Sequence, residues 1–111
     1  MKPPEADDVR ELLGIDRVVH EPARLAILTI LGSAEEVEFK FLEVAVGLTK
    51  GNLSSHVSKL EAASYVKVLK AFRDKIPVTS YRITPAGRKA LDEYRRRMSN
   101  GIGGRGYPPV R

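Results

Sequence analysis

Between Lys50 and Lys59 the chain reads KGNLSSHVSK, a run of amide, hydroxyl, imidazole and ammonium groups with no carboxylate before Glu61. Such groups donate and accept hydrogen bonds and add positive charge, which suits recognition of an anionic polar surface. They do not suit catalysis. No Ser–His–Asp arrangement, phosphate loop or paired-carboxylate site is visible, and 111 residues leave little room for a catalytic cleft. The absence of Cys removes disulfides, zinc–thiolate sites and Cys nucleophiles together. His20 and His56 are isolated from Cys and from clustered acids, so neither a metal nor a cofactor is expected. His56 reads as a packed or phosphate-contacting residue. Glu35, Glu36 and Glu38 read as a solvated acidic patch.

The residues around this run place it on a helix. Thr49 is a suitable N-cap, and Leu53, Val57 and Leu60 recur at spacings of four and three, giving one narrow apolar stripe. Gly51, Ser55, Ser58, Lys59 and Ala62 then fall opposite the stripe, with Asn52 and Ser54 on its shoulders. The outward face is small and polar or basic. A plain surface helix is the alternative at this point, although one would more often mix Glu and Lys in pairs. Two strands follow. Val66, Val68 and Phe72 alternate with Lys67 and Ala71, with Lys70 interrupting the inner parity, and Thr79, Tyr81 and Ile83 alternate with Ser80 and Arg82. The stretch 73–77 forms a mostly basic tip, with Pro77 confined to a turn or an edge.

Upstream, Val9, Leu12 and Leu13 suit one side of a short helix stopped by Gly14. A second helix starts near Glu21–Pro22 and runs through Leu25, Ile27, Leu28 and Leu31 to Gly32. Val37 to Phe39 is a short strand, followed by a helix over about 40–46 that Gly47 breaks. Thr84 and Pro85 form a strong helix start, and Leu91, Tyr94 and Met98 run along one seam of the last helix. Tyr65, Tyr81 and Tyr94 lie at apolar parity and should be core or interface. The Gly- and Pro-rich stretch 99–111 reads as a disordered tail.

Charge is unevenly spread. Residues 1–16 carry 2 basic and 5 acidic side chains, residues 17–64 carry 5 and 6, and residues 65–111 carry 12 and 3, within a net charge of +5. A basic second half suits a polyanion, though a merely soluble surface is the plainer reading. Arg95, Arg96 and Arg97 suit either phosphate contact or a solvated helix face. No apolar run reaches the roughly 18 residues of a membrane span. The N-terminus lacks an apolar signal core, so a cytoplasmic location is expected.

Helix, turn, helix and basic hairpin in that order predict a mainly α fold with a small β-wing, a winged helix-turn-helix. Its second helix, about 50–63, fits a DNA major groove and its wing, about 66–83, the backbone or minor groove. Lys50, Gly51, Asn52, Ser54, Ser55, His56, Ser58 and Lys59 would contact DNA from the helix, and Arg73 and Lys75 from the wing. Asn52 suits bidentate pairing with adenine, and serines suit bases or phosphates. Backbone N–H groups at 50–52 favour a phosphate.

Three motifs carry a family resemblance: Arg24-Leu25-Ala26-Ile27-Leu28, Gly51 through Glu61, and Thr79 through Gly87. Together they resemble the winged-helix transcriptional regulators of the MarR/ArsR-like superfamily over about residues 17–98. The resemblance implies a homodimer on a pseudo-palindromic duplex. It carries DNA contacts onto Gly51, Asn52, Ser54, Ser55, His56, Lys59, Arg73, Lys75 and Thr79. Ser64 departs from the pattern, standing where the family usually has Gly.

The boundaries expected are 1–16 for an N-terminal helix, 17–84 for the winged unit, 85–98 for a C-terminal helix and 99–111 for the tail. Val9, Leu12, Leu13, Leu91, Tyr94 and Met98 are the expected dimer interface, because the winged core closes without them. The competing arrangement folds both terminal helices back on their own domain. Besides a regulator, a sequence-tolerant architectural DNA-binding protein and a protein-interaction module fit the residues. A dimer junction leaves room for a small-molecule effector, but no residue set specifies one.

Overall fold

The computed structural model describes residues 5–103. Helix α1 (Ala6–Arg10) runs into a 3₁₀ turn (Glu11–Gly14), and α2 spans Pro22–Gly32. The short strand β1 (Val37–Glu38) leads into α3 (Phe39–Val46) and α4 (Lys50–Ala62). A hairpin of β2 (Val66–Arg73) and β3 (Ile76–Ile83) precedes the long helix α5 (Pro85–Gly103). The sheet is antiparallel in the order β1-β3-β2, with β1 covering only Ser80 and Tyr81 of β3. This is the mainly α winged helix-turn-helix that the element order predicts.

Local signals set the helix starts. The Glu21 carboxylate caps α2, accepting from the Ala23 and Arg24 N–H groups at 3.0 Å each, and Pro22 supplies a first helical residue with no N–H to satisfy. Thr49 Oγ1 accepts from the Asn52 N–H at 3.2 Å to start α4. Gly47, at φ 72°, makes the left-handed turn between α3 and α4.

The core gathers the expected stripes. Ile27, Leu28 and Leu31 of α2, Leu42 of α3, and Leu53, Val57 and Leu60 of α4 are buried together with Val66 and Tyr81 of the hairpin. At about 1.5–3 kcal/mol for each fully buried aliphatic side chain, the three α4 residues fix which face of that helix remains outside. Beyond Val68 the hairpin leaves the core, and burial stops following strand alternation. Phe72, at the inner parity, is therefore 76% exposed.

Three expectations are corrected. Leu91 and Tyr94 are 2% and 7% exposed and belong to the core of their own chain, with Met98 packed against them. Their seam is thus not free to form an interface, because α5 folds back along α2. The last helix does not stop at Met98 but continues to Gly103. There α1 and the 3₁₀ turn pack on it, with Leu12 seated where a Cβ on Gly101 would lie 2.3 Å away. The remainder of the expected tail, 104–111, lies outside the described residues. Finally, the wing tip is tighter than 73–77: Asp74 and Lys75 alone make the turn, at φ 52° and 67°, the pattern of a two-residue type I′ hairpin. Pro77 lies within β3 opposite Phe72, beyond the reach of β1, so the edge it requires is present.

Candidate nucleic-acid interface

The burial of Leu53, Val57 and Leu60 turns the other sides of α4 outward. Lys50, Gly51, Asn52, Ser54, Ser55, Ser58 and Lys59 are all exposed, as the helical spacing predicts, while His56 is half-buried. Of the first-turn N–H groups, that of Asn52 is already taken by Thr49. A phosphate at this helix start would meet those of Lys50 and Gly51.

One flank of α4 faces the wing. Ser54 and Ser58 line an open groove of about 1020 Å³ whose far wall carries Lys70, Arg73 and Thr79. Val68 pairs with Tyr81 and Lys70 with Thr79 across the hairpin, which places all four side chains on one face, toward the groove. Lys70 is therefore a candidate contact that the sequence signalled only as a break in apolar alternation. Lys75 is exposed at the tip. Thr79 is half-buried in the groove wall.

The acidic patch is more than a solvated loop. Glu38 meets Arg73 at 2.9 Å, and Glu36 receives Ser80 Oγ at 2.6 Å and Arg82 Nη2 at 3.2 Å. Arg73 hydrogen bonds and charge hold the Glu38 carboxyl below the usual carboxylate range. Ser80 and Arg82 do the same for Glu36. Glu38, Glu61 and Asp74 also line the groove, so carboxylates stand there beside the cations Lys40, Lys70 and Arg73.

The other flank of α4 faces the start of α2. His56 Nδ1 lies 3.1 Å from Arg24 Nη1 and 3.4 Å from Glu21 Oε2. Burial opposes ionisation of Glu21, but the Ala23 and Arg24 backbone N–H groups and the neighbouring His56 and Arg24 outweigh it and hold its carboxyl low. Arg24 and His56 come from separate sequence motifs, and only the fold joins them. His20 is bonded to the Tyr94 hydroxyl through Nδ1 at 2.9 Å, a packing role. Among the described residues no group of His and acidic side chains could hold a metal.

The exit of α4 fixes the wing. Tyr65 N–H reaches the Leu60 carbonyl and Ser64 N–H that of Glu61, both at 2.9 Å, a Schellman motif whose left-handed residue is Ser64, at φ 65°. Thr84 Oγ1 donates to the Ser64 carbonyl at 2.6 Å and accepts from the Gly87 N–H at 2.9 Å. The Thr84 N–H bonds the Tyr65 carbonyl at 3.0 Å. A Cβ on Gly87 would stand 2.1 Å from that same carbonyl oxygen, so the contact requires Gly.

Of the expected interface residues outside the core, Leu13 is 86% exposed, Val9 is exposed and Leu12 is half-buried against α5. No helix among the described residues is long and apolar enough to cross a membrane.

Comparison with known proteins agrees with this geometry. An uncharacterised protein of Methanocaldococcus jannaschii is 33% identical over 78 residues, covering 70% of this chain and 85% of that one. The structure of a transcriptional regulator homologue from Pyrococcus horikoshii superposes with a TM-score of 0.78 at 29% identity, covering 84% of this chain and 94% of that one. The transcriptional regulator BldR of Sulfolobus solfataricus shares the fold at a TM-score of 0.61 and 23% identity, over 85% of this chain and 63% of its own. The family model described as winged helix DNA-binding domain matches residues 23–102, from the start of α2 to the end of α5. The chain belongs to the winged helix DNA-binding domain family.

Proposed function

We propose that this protein is a DNA-binding transcriptional regulator that acts as a homodimer on a pseudo-palindromic duplex. The carrying observation is the bare outer face of α4. Asn52, Ser55 and Lys59 stand exposed with no acid among them, while the stripe behind them is locked in the core. Such a face approaches base edges closely in a major groove. A sugar–phosphate strand would run in the groove between α4 and the wing, with Lys70 and Arg73 on its wall and Lys75 exposed at the tip. Asn52 and the serines then supply selectivity, and the wing cations supply grip.

The homodimer reading is supported by the apolar groups left outside at one end of the molecule. Leu13, Val9 and Ile102 are exposed where α1, the 3₁₀ turn and the end of α5 pack together. A two-fold axis there would set two copies of α4 about one DNA turn, roughly 34 Å, apart.

Selection of bound sequences from random duplex DNA tests the proposal, and an enriched palindrome is the expected result. Asn52→Ala with Ser55→Ala should weaken the enriched site more than random duplex. Arg73→Ala with Lys75→Ala should weaken both and flatten the salt dependence. Binding without enrichment would instead assign a sequence-tolerant architectural role, and failure to bind any duplex at low salt would overturn DNA binding altogether.

A further inference from the structure

The two flanks of α4 are built differently. The wing flank is an open groove, whereas the α2 flank is closed by one guanidinium with several acceptors. Arg24 Nε donates to the Val18 carbonyl at 2.6 Å and Nη2 to the Arg17 carbonyl at 3.4 Å, while Nη1 reaches His56 Nδ1 at 3.1 Å. Its side chain is only 12% exposed. A guanidinium has donors and no acceptor, so the His56 contact requires a lone pair on Nδ1 and leaves the ring proton on Nε2. The ring is 22% exposed, and Nε2 has no protein partner in the described structure and is not enclosed. His56 follows Asn52 by one helical turn and precedes Lys59 by three residues, so its ring shares their flank of α4.

We propose that Arg24 is a positioning residue for DNA binding: it holds His56 as the Nε2–H tautomer, so that this N–H is a fixed donor to a phosphate on the α2 flank of the recognition helix. The proposal rests on the DNA-binding reading above. Glu21 supplies the competing arrangement. Its Oε2 lies 3.4 Å from the same Nδ1 and 3.8 Å from Arg24 Nη1. With Arg24 present, the carboxylate has a cation beside it and the Nδ1 lone pair is engaged. Without Arg24, the nearest partner for Nδ1 is the carboxylate, which draws the proton to Nδ1 and leaves Nε2 an acceptor. An acceptor facing a phosphate oxygen repels it. Arg24 thus decides the sign of the contact without touching the DNA.

The test has two readouts. Imidazole ¹⁵N shifts of the free protein, at pH about 8 where an ordinary imidazole is neutral, should show Nδ1 bare and Nε2 protonated. In Arg24→Met the proton should move to Nδ1, and adding Glu21→Gln should return it to Nε2. The Nδ1–H tautomer in the unsubstituted protein would overturn the proposal, and that result needs no variant to fold. Affinity for the selected site and for random duplex then distinguishes His56→Gln, whose amide N–H₂ occupies the Nε2 position, from His56→Asn, which leaves that position empty. Gln should retain affinity within about threefold and Asn should lose about tenfold or more on both duplexes, the scale of one hydrogen bond to a charged group. Equal affinities for the two variants, with the unsubstituted protein binding well, would sink this proposal alone. An unsubstituted protein that retards no duplex would sink it together with the DNA-binding reading.

Discussion

Arg73 and Glu38 meet on the wall of the groove that a phosphodiester would enter, so the guanidinium cannot give all its charge to DNA while the carboxylate stands beside it. The pair is solvent-exposed, and such pairs contribute little to stability. Its effect falls on binding instead. Glu38→Gln should tighten binding to every duplex several-fold and steepen the salt dependence, because it removes a negative charge from the path of the backbone. Titrations at several salt concentrations measure this, and an unchanged or weaker affinity would count against the groove as the strand's path. Glu21 carries a pH consequence of a different kind. Its folded pKa lies below the ordinary 4.5, so the unfolded chain takes up the proton first and the stability Glu21 contributes is present above 4.5. That stability is lost as pH falls through the depressed folded value. Thermal stability should therefore fall as pH drops below 4.5, and Glu21→Gln should flatten that part of the profile. An opposite response, stabilisation on acidification, would contradict the capping role.

Among the elements, the joint after α4 makes the sharpest demands on sequence. Ser64 holds a left-handed conformation that costs a non-Gly residue about 1–2 kcal/mol. Ser64→Gly should raise stability in denaturant titrations by about 1 kcal/mol, reduced from the strain by the greater unfolded-state freedom of Gly. Gly87→Ala should lower it by at least about 1–3 kcal/mol, since the added methyl meets backbone rather than a movable side chain. If both substitutions are neutral, the joint is looser than its hydrogen bonds indicate. The helix starts here were legible in the sequence because caps are local: Thr49, Glu21–Pro22 and Thr84–Pro85 mark α4, α2 and α5 within a residue. What was not legible depended on contacts distant in sequence. Ser99 to Gly103 has the composition of a tail, yet α5 continues because Leu12 and its neighbours pack on it. The seam of Leu91 and Tyr94 looks the same whether it closes on its own chain or on a partner. Arg24 and His56, and Glu38 and Arg73, are 32 and 35 residues apart, and no periodicity announces either pair.

The whole molecule is elongated, 60 × 27 × 23 Å. Its apolar surface at α1 and the end of α5 is made of different residues from those that stabilise the core. Leu13→Asp should therefore leave the fold intact and reduce a dimer to the monomer mass in sedimentation equilibrium, because Leu13 is 86% exposed within one chain. A monomer mass for the unsubstituted protein at micromolar concentration would remove the dimer from the proposal. The clamp at Ser64, Tyr65 and Thr84 has a consequence for how such proteins diversify. Because both ends of the hairpin are fastened to each other at its base, everything from Lys70 to Pro77, exposed throughout, can change length or composition without transmitting strain to α4 or α5. The wing is in that sense a cassette, able to accumulate new contacts at its own pace while the helical body that orients it stays under the constraints of packing.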